Sequence, residues 1–249
     1  DLFFGVFMTT DRVNHFLFRD YEHDGDNGEA FLEFYEQVDE YIGEIRASLP
    51  DDVTLVVASD HGFTSLEYEV HCNAWLEEEG WLAYEDDDHD ELGDISGDTR
   101  AYSFIPGRFY INLDGREPDG AVPESEYDAV RSELKADLEA LDGPDGRPVA
   151  DRVVETEDAF RGDHDDIAPD LVVVPNHGFD LKSGFKSHDD VFGTGPRNGM
   201  HSFDNASLFV DDPEVTIDEA DIYDIAPTIL DLLEVDYTRT EFDGATLCR

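Results

Sequence analysis

Two short apolar runs, residues 2–8 (LFFGVFM) and 53–58 (VTLVVA), flank a long amphipathic stretch, and that order limits the fold more than any other feature of the chain. Neither run alternates apolar with polar residues, so each reads as a strand covered on both faces, the habit of a parallel sheet. Between them Phe31, Phe34, Tyr35, Val38, Tyr41, Ile42, Ile45 and Leu49 recur at i, i+3, i+4 spacing until Pro50 stops the pattern, which predicts one helix from Gly28 onward. Strand, helix, strand in about sixty residues is a βαβ unit, whose crossover is right-handed.

The texture then changes. Residues 71–165 carry a short helix with Trp75, Leu76 and Trp81, and an acidic stretch over 85–98 that reads as a solvated loop. A strand at 109–113 (FYINL), turn chemistry over 115–120 and a helix over 127–141 with Val130, Leu134, Leu138 and Leu141 follow. Apolar runs return at 170–174 (DLVVV) and 207–210 (SLFV), and a closing helix spans 222–233 with Ile225, Ile229, Leu232 and Leu233 on one face. The expected organisation is an α/β core of residues 1–70 and 166–249, interrupted by a cap or insertion at 71–165. The expected fold is a three-layer sandwich around a mainly parallel sheet. Trp75 and Trp81 are expected in the core of the cap.

Charge decides which partners are excluded. The chain has 63 Asp+Glu against 16 Lys+Arg in 249 residues, a formal net charge of −47. Such a surface repels phosphate backbones and anionic lipid headgroups, so nucleic-acid polymers and membranes are poor partners. Disorder, the other meaning of high charge, is opposed by 40% hydrophobic and 12% aromatic residues, enough for a sizeable core. The carboxylates are spread along the whole chain and only three lysines occur, Lys135, Lys182 and Lys186. Self-repulsion on this scale is tolerable where salt screens it, since the Debye length falls to ~3 Å at 1 M salt. The composition therefore points to the high-salt cytosol of a halophile. Cys72 and Cys248 form neither a disulfide framework nor a metal-binding spacing, and no apolar run approaches the ~18 residues of a membrane span.

The two apolar runs share an ending. The first leads to Asp11 and His15 (DRVNH), the second to Ser59-Asp60-His61-Gly62, and far along the chain His201 follows a Gly/Pro-rich loop in GMHSFDN. In open α/β sheets ligands bind at the carboxyl ends of strands. Neutral imidazole with carboxylate suits Zn, Mn or Fe, and two Asp with three His suffice to ligate one ion fully and a second in part. Two ions ~4 Å apart can clamp the attacking and leaving oxygens of a phosphoryl displacement.

The order DxxxH, then SDHG after an apolar run, then a late GxH followed by Tyr-Asp-Ile-Ala-Pro-Thr-Ile-Leu (223–230) resembles the alkaline phosphatase superfamily. It is most similar to the type I phosphodiesterase/nucleotide pyrophosphatase group and its phosphohydrolase and phosphomutase relatives. The similarity spans nearly the whole chain, including Asn112-Leu113-Asp114-Gly115-Arg116-Glu117-Pro118. The resemblance implies two divalent ions, with zinc favoured and manganese open. Asp11, His15 and His201 would hold one, Asp60 and His61 the other. It implies a phosphate mono- or diester as a small-molecule substrate, and a phosphoenzyme formed on a Ser or Thr at a helix N-terminus. That hydroxyl and a further metal-binding Asp lie upstream of DxxxH in the family, so the chain is expected to be the carboxyl-terminal portion of a longer protein. Thr9 and Thr10 are not assigned the role, because they precede a metal ligand. A phosphomutase using the same metals, a sulfatase and a non-catalytic metal-binding homologue are the rival readings.

Other residues get smaller expectations. Arg197, beside Asn198, and Lys186 are candidates for gripping the substrate's anionic groups, Lys182 likewise; Arg100, Arg108 and Arg116 rank below them. His177 reads as a hydrogen-bonded loop residue, and His23, His71, His89, His164 and His188 receive no role. Asp24-Gly25-Asp26-Asn27-Gly28 lacks the spacing of a calcium loop and reads as a turn and helix start.

Overall fold

The computed structural model describes residues 1–160, 162, 167–188, 190–215 and 217–248. In chain order the elements are α1 (Met8–Glu22), α2 (Gly28–Ser48), β1 (Val56–Ala58), β2 (Gly62–Ser65), β3 (Tyr68–His71) and α3 (Cys72–Glu78). They continue with β4 (Ala101–Ile105), β5 (Arg108–Ile111), α4 (Tyr127–Glu139), β6 (Ala150–Glu155), α5 (Thr156–Ala159) and β7 (Leu171–Pro175). The last are β8 (Phe179–Lys182), β9 (Phe192–Gly193), β10 (Gly199–Ser202), β11 (Leu208–Val210) and α6 (Ile225–Leu232). Two compact units result, Asp1–Ser65 with Arg197–Arg249, and Leu66–Pro196.

In the first unit α1 and α2 are joined through Asp20, whose Oδ2 accepts from the Asn27 backbone N–H (3.2 Å) and side-chain Nδ2 (2.5 Å). Tyr21 stacks on Phe31 with centroids 4.7 Å apart, and Tyr35 Oη donates to Asn14 Oδ1 at 3.0 Å. Two antiparallel strand pairs complete the unit. Val56 of β1 stands opposite Val210 of β11, and Phe63 of β2 opposite His201 of β10. Asp221 and Asp224 cap the approach to α6 reciprocally, each side chain accepting a backbone N–H near the other.

The start of this unit departs from expectation. Residues 2–7 have no regular structure and lie exposed, Phe3 at 92%, and Met8 already opens α1. A strand needs a neighbour for its N–H and C=O groups, and these residues belong to no ladder. From Met8 the spacing is helical instead. Asp11, His15, Phe18 and Glu22 fall at i, i+4, i+7 and i+11, one stripe along α1, and Phe18 packs on Phe63 with centroids 5.9 Å apart.

The second unit holds two sheets. One has the order β8-β3-β9, the other β4-β5-β7-β6. Among the described strands only β3 and β8 pair in parallel, so the fold is mixed α/β with small, mostly antiparallel sheets and not a mainly parallel three-layer sandwich. The apolar run at 170–174 is a central strand here, β7, lying between β5 and β6. Its two covered faces gave it a parallel appearance, but its partners run antiparallel to it. Residues 166–196, grouped with the flanking core by sequence, thus fall within this unit. Val70, Leu76, Phe109, Ile111, Leu134, Leu171 and Phe179 form its waterless centre, and α4 adds Val130 and Leu138. Trp75 and Trp81 are buried in the same core.

At one side of that core the NLDGREP segment has a mechanical task. Asp170, 2% exposed, accepts both guanidinium nitrogens of Arg116 (2.8 and 2.7 Å), the Ile111 N–H (2.6 Å) and the Tyr127 hydroxyl (2.5 Å). Arg116 also donates to the Ile111 carbonyl at 2.6 Å. Every lone-pair direction of a nearly waterless carboxylate is thereby used.

Candidate metal centre

Asp11 occupies the first turn of α1 and His15 the second, so their helical spacing turns both toward β2 and β10. His61 stands in the link between β1 and β2, after the end of an apolar strand as the sequence suggested, whereas Asp11 and His15 sit on a helix and not at a strand's carboxyl end. His201 lies within β10.

Two close approaches bring these elements together. A side chain at Gly62 would overlap Asn205 Oδ1 and Ser202 Oγ, and one at Gly199 would overlap the Asn14 carbonyl of α1. Only glycine lets β2 and β10 come this near their neighbours. Asn205 then ties the pair: its Nδ2 donates to the Phe63 carbonyl at 2.8 Å while its Oδ1 accepts from Ser202 Oγ. The Asn198 N–H, just before β10, donates to the His15 carbonyl at 2.8 Å.

Three imidazoles converge on a single carboxylate oxygen. His201 Nε2 lies 3.1 Å from Asp11 Oδ1, His15 Nε2 at 3.6 Å and His61 Nε2 at 3.9 Å. His61 and His201 stack with centroids 3.8 Å apart, and Phe63 is seated among all three rings at 5.1–5.5 Å. Asp60 Oδ1 stands 3.6 Å from His61 Nε2, with its side chain 84% exposed.

The tautomers are set by the backbone. His15 Nδ1 faces the Gly199 carbonyl at 3.0 Å and His61 Nδ1 the Gly62 carbonyl at 3.0 Å, and a carbonyl only accepts. Each Nδ1 therefore carries a proton, which leaves Nε2 as the atom turned toward the Asp11 carboxylate. A proton is disfavoured at His201, whose pKa is pushed below its ordinary value by burial first and by His61 second, against the pull of Asp11. One ligand atom each from Asp11, His61 and His201 fall within 4.8 Å of one another, a geometry able to hold a metal ion. The donor set, imidazole nitrogen with one carboxylate oxygen, fits zinc and also manganese.

The remaining candidates separate. Arg197 is half-buried beside Asn198 in the same unit, whereas Lys186 is exposed in the second unit between β8 and β9. Lys182 is ion-paired with Asp180 and with Glu69, and Arg116 is committed to Asp170. His177 is an exposed loop residue whose carbonyl accepts from Arg147. His71 stacks on His188 and His89 on Tyr84, His23 is exposed beside Glu22, and His164 lies outside the described residues. Phe63, Asn205 and Gly199 were not singled out from the sequence. The signal for Phe63 was its place directly after SDHG, and for Asn205 the polar run that follows His201.

The sequence model of the family described as type I phosphodiesterase / nucleotide pyrophosphatase matches residues 1–204, which include all five proposed ligands. No curated protein and no solved structure matches the chain significantly.

Proposed function

The chain belongs to the type I phosphodiesterase / nucleotide pyrophosphatase family of the alkaline phosphatase superfamily, and on that premise we propose that it is a metal-dependent phosphohydrolase acting on a small phosphate mono- or diester. The observation that carries the reading is the convergence of His15, His61 and His201 on Asp11, within the stretch that the family covers.

Asp11, His15, Asp60, His61 and His201 are the proposed ligands of two divalent ions, zinc preferred. Bound there, such ions supply positive charge to the nonbridging oxygens of a phosphoryl group and lower the pKa of an attacking oxygen. The chain's own part is positional. The Gly199 and Gly62 carbonyls hold the Nδ1 protons of His15 and His61, which keeps both Nε2 atoms directed at the centre. Phe63 covers one side of the three rings and keeps water from it, while His201, with half of its side chain exposed, marks the side open to substrate. Arg197 and Lys186 are each proposed as contacts for anionic groups of the substrate. The proposed course passes through a phosphoenzyme: a hydroxyl attacks phosphorus, the ester oxygen leaves with a proton, and water then cleaves the new P–O bond, releasing phosphate from a monoester or a phosphate monoester from a diester. No residue of this chain is assigned as that hydroxyl. The segment 71–165 is proposed to set substrate choice, and the charge of −47 to fit the protein for a high-salt cytosol.

The test is hydrolysis of p-nitrophenyl phosphate and bis(p-nitrophenyl) phosphate in 2 M KCl by metal-stripped protein reloaded with zinc or manganese, beside Asp11→Asn. Turnover that needs metal and is lost in Asp11→Asn supports the reading. A fully loaded protein that turns over neither ester refutes catalysis by this chain, and zinc binding left unchanged in Asp11→Asn refutes the metal centre. Phosphate moved between carbons of a sugar phosphate without release favours the mutase.

A further inference from the structure

Residues 183–188, which leave β8 within the second unit, are held at two places by contacts of different kinds. At the root, buried Asn73 donates through Nδ2 to the Ser183 and Gly184 carbonyls (3.2 and 3.1 Å), His89 Nδ1 donates to the Phe185 carbonyl at 2.5 Å, and the Phe185 side chain enters the core. At the tip the hold is one ring on another: exposed His188 stacks on half-buried His71, with centroids 3.6 Å apart and planes 12° from parallel. We infer that residues 186–188 are a pH-operated strap, stacked on His71 while both imidazoles are neutral and released when acid protonates both, with the root still fastened.

The strands around His71 supply the charges that decide the second proton. On β3 itself Glu69 lies two residues away, on β8 Lys182 stands in register with His71 and Asp180 with Glu69, and on β9 the neighbour is uncharged Gly193, where a side chain would meet His71 Nε2 at 2.9 Å. Both carboxylates are engaged by Lys182. One proton on the stacked pair leaves an imidazolium against a neutral ring, with no like charge to oppose it. A second sets two positive charges one ring thickness apart beside the Lys182 ammonium. Salt screens charges separated by more than a Debye length, and no ion fits between rings in contact, so even a high-salt medium leaves this repulsion in force. Burial first and His188 second hold the His71 imidazole below its ordinary value, against the pull of Glu69 and with the push of Lys182, so the neutral stack is the form at pH 7 and above.

The root answers acid in the opposite sense. Asn73 does not titrate, and His89 Nδ1 donates to the Phe185 carbonyl in either charge state of its ring. That ring lies on the face of Tyr84 with centroids 3.4 Å apart, and Asp94 is its charged neighbour, so both surroundings favour an imidazolium there. Acid therefore loosens the tip and leaves the root tight. Lys186, exposed, rides on the released part, so the same change withdraws the cation proposed above as a substrate contact.

The experiment attaches a small thiol-reactive dye at Ser187→Cys in the full chain that also carries Cys248→Ser; Cys72 is buried, with its thiol pushed up to about 12, and does not react. Dye anisotropy is followed in 2 M KCl as the pH is lowered from neutrality, while the fluorescence of Trp75 and Trp81 reports that the second unit stays folded. Anisotropy should fall in one step with its midpoint between about pH 5 and 6.5. His188→Phe and His71→Phe each keep a flat ring that stacks but takes no proton, and in both the anisotropy should stay high through that range. His188→Ala, with no ring, should show the low value at every pH. Flat anisotropy in the labelled parent, a fall in His188→Phe that matches the parent's, or a His188→Ala chain as rigid as the parent overturns the inference. The readout is the strap and not turnover, so a strap that releases in a chain without esterase activity refutes the phosphohydrolase reading alone, and an active chain with a rigid strap refutes the switch alone.

Discussion

Replacing Asp170 by Asn tests whether the NLDGREP segment that contributes to the family resemblance is scaffold. Asn has the same shape but no charge, and it turns an NH2 toward groups that only donate. The Arg116 guanidinium, which makes two hydrogen bonds to the carboxylate at 2.8 and 2.7 Å, would keep its charge and lose its counter-ion. Breaking a buried pair in this way costs about 3–5 kcal/mol. The Arg116 side chain is 28% exposed, which moves the figure to the lower end, about 3 kcal/mol. In a chain of this size that lowers the Tm by about 6–12 °C. Both tryptophans, Trp75 and Trp81, lie in the core of the second unit, so thermal melting followed by tryptophan fluorescence reports this unit alone. Tyr127→Phe removes one hydroxyl that donates to Asp170 at 2.5 Å and should cost less, about 1.5–2 kcal/mol. Burial first, then Asp170, pushes the Tyr127 hydroxyl up to about 12, so it remains a donor across the whole working range of pH. A melting shift under about 2 °C for Asp170→Asn, or a larger loss in Tyr127→Phe than in Asp170→Asn, would refute the reasoning.

Three further outcomes follow from the first unit and from the charge. Gly199→Ala drives a methyl group into the Asn14 carbonyl, so α1 must move from β10; metal binding should weaken at least ~10-fold, measured by calorimetric zinc titration. Stability of the metal-free protein should fall as pH drops below about 6.5, because the unfolded chain then takes up a proton that folded His201, with its lowered pKa, resists; above that pH both states are neutral and this contribution is flat. A urea midpoint in His201→Gln that keeps the wild-type pH slope would oppose the assignment. Raising KCl from 0.1 to 2 M should raise the Tm, as ~10 Å of screening length shrinks below ~3 Å around a net charge of −47, and a Tm that falls or stays level counts against adaptation to salt.

Local pattern was enough for some elements and not for others. The i, i+3, i+4 repeat placed α2 at Gly28–Ser48, and the four-residue repeat of Val130, Leu134 and Leu138 placed α4, because a helix closes its own hydrogen bonds within the pattern that announces it. Strands carry no such internal partner. The run at 53–58 becomes β1 only over Val56–Ala58, and its partner β11 lies some 150 residues away and antiparallel, where no local signal could have named it. The run at 2–8 shows the same gap more sharply, since an apolar sequence supplies β propensity but no neighbour. The DxxxH that follows it already had helical spacing, and Glu22 at i+11 extends the stripe to a hydrogen bond from Ser65 at 2.5 Å.

The cluster of Asp11, His61 and His201, whose ligand atoms lie within 4.8 Å of one another, was legible where the strands were not, and the reason lies in which residues are informative in so acidic a chain. Asp and Glu number 63, so a carboxylate near another carboxylate says little here. Histidines number nine, and three of them place Nε2 within 3.9 Å of one oxygen of one aspartate. Composition alone gives no reason for three imidazoles to gather around one carboxylate oxygen. Arg116 makes the same point from the other sign. Among 16 cations against 63 anions it is committed to buried Asp170 with both guanidinium nitrogens used, which is why its motif reads as scaffold and the histidine cluster as the candidate site.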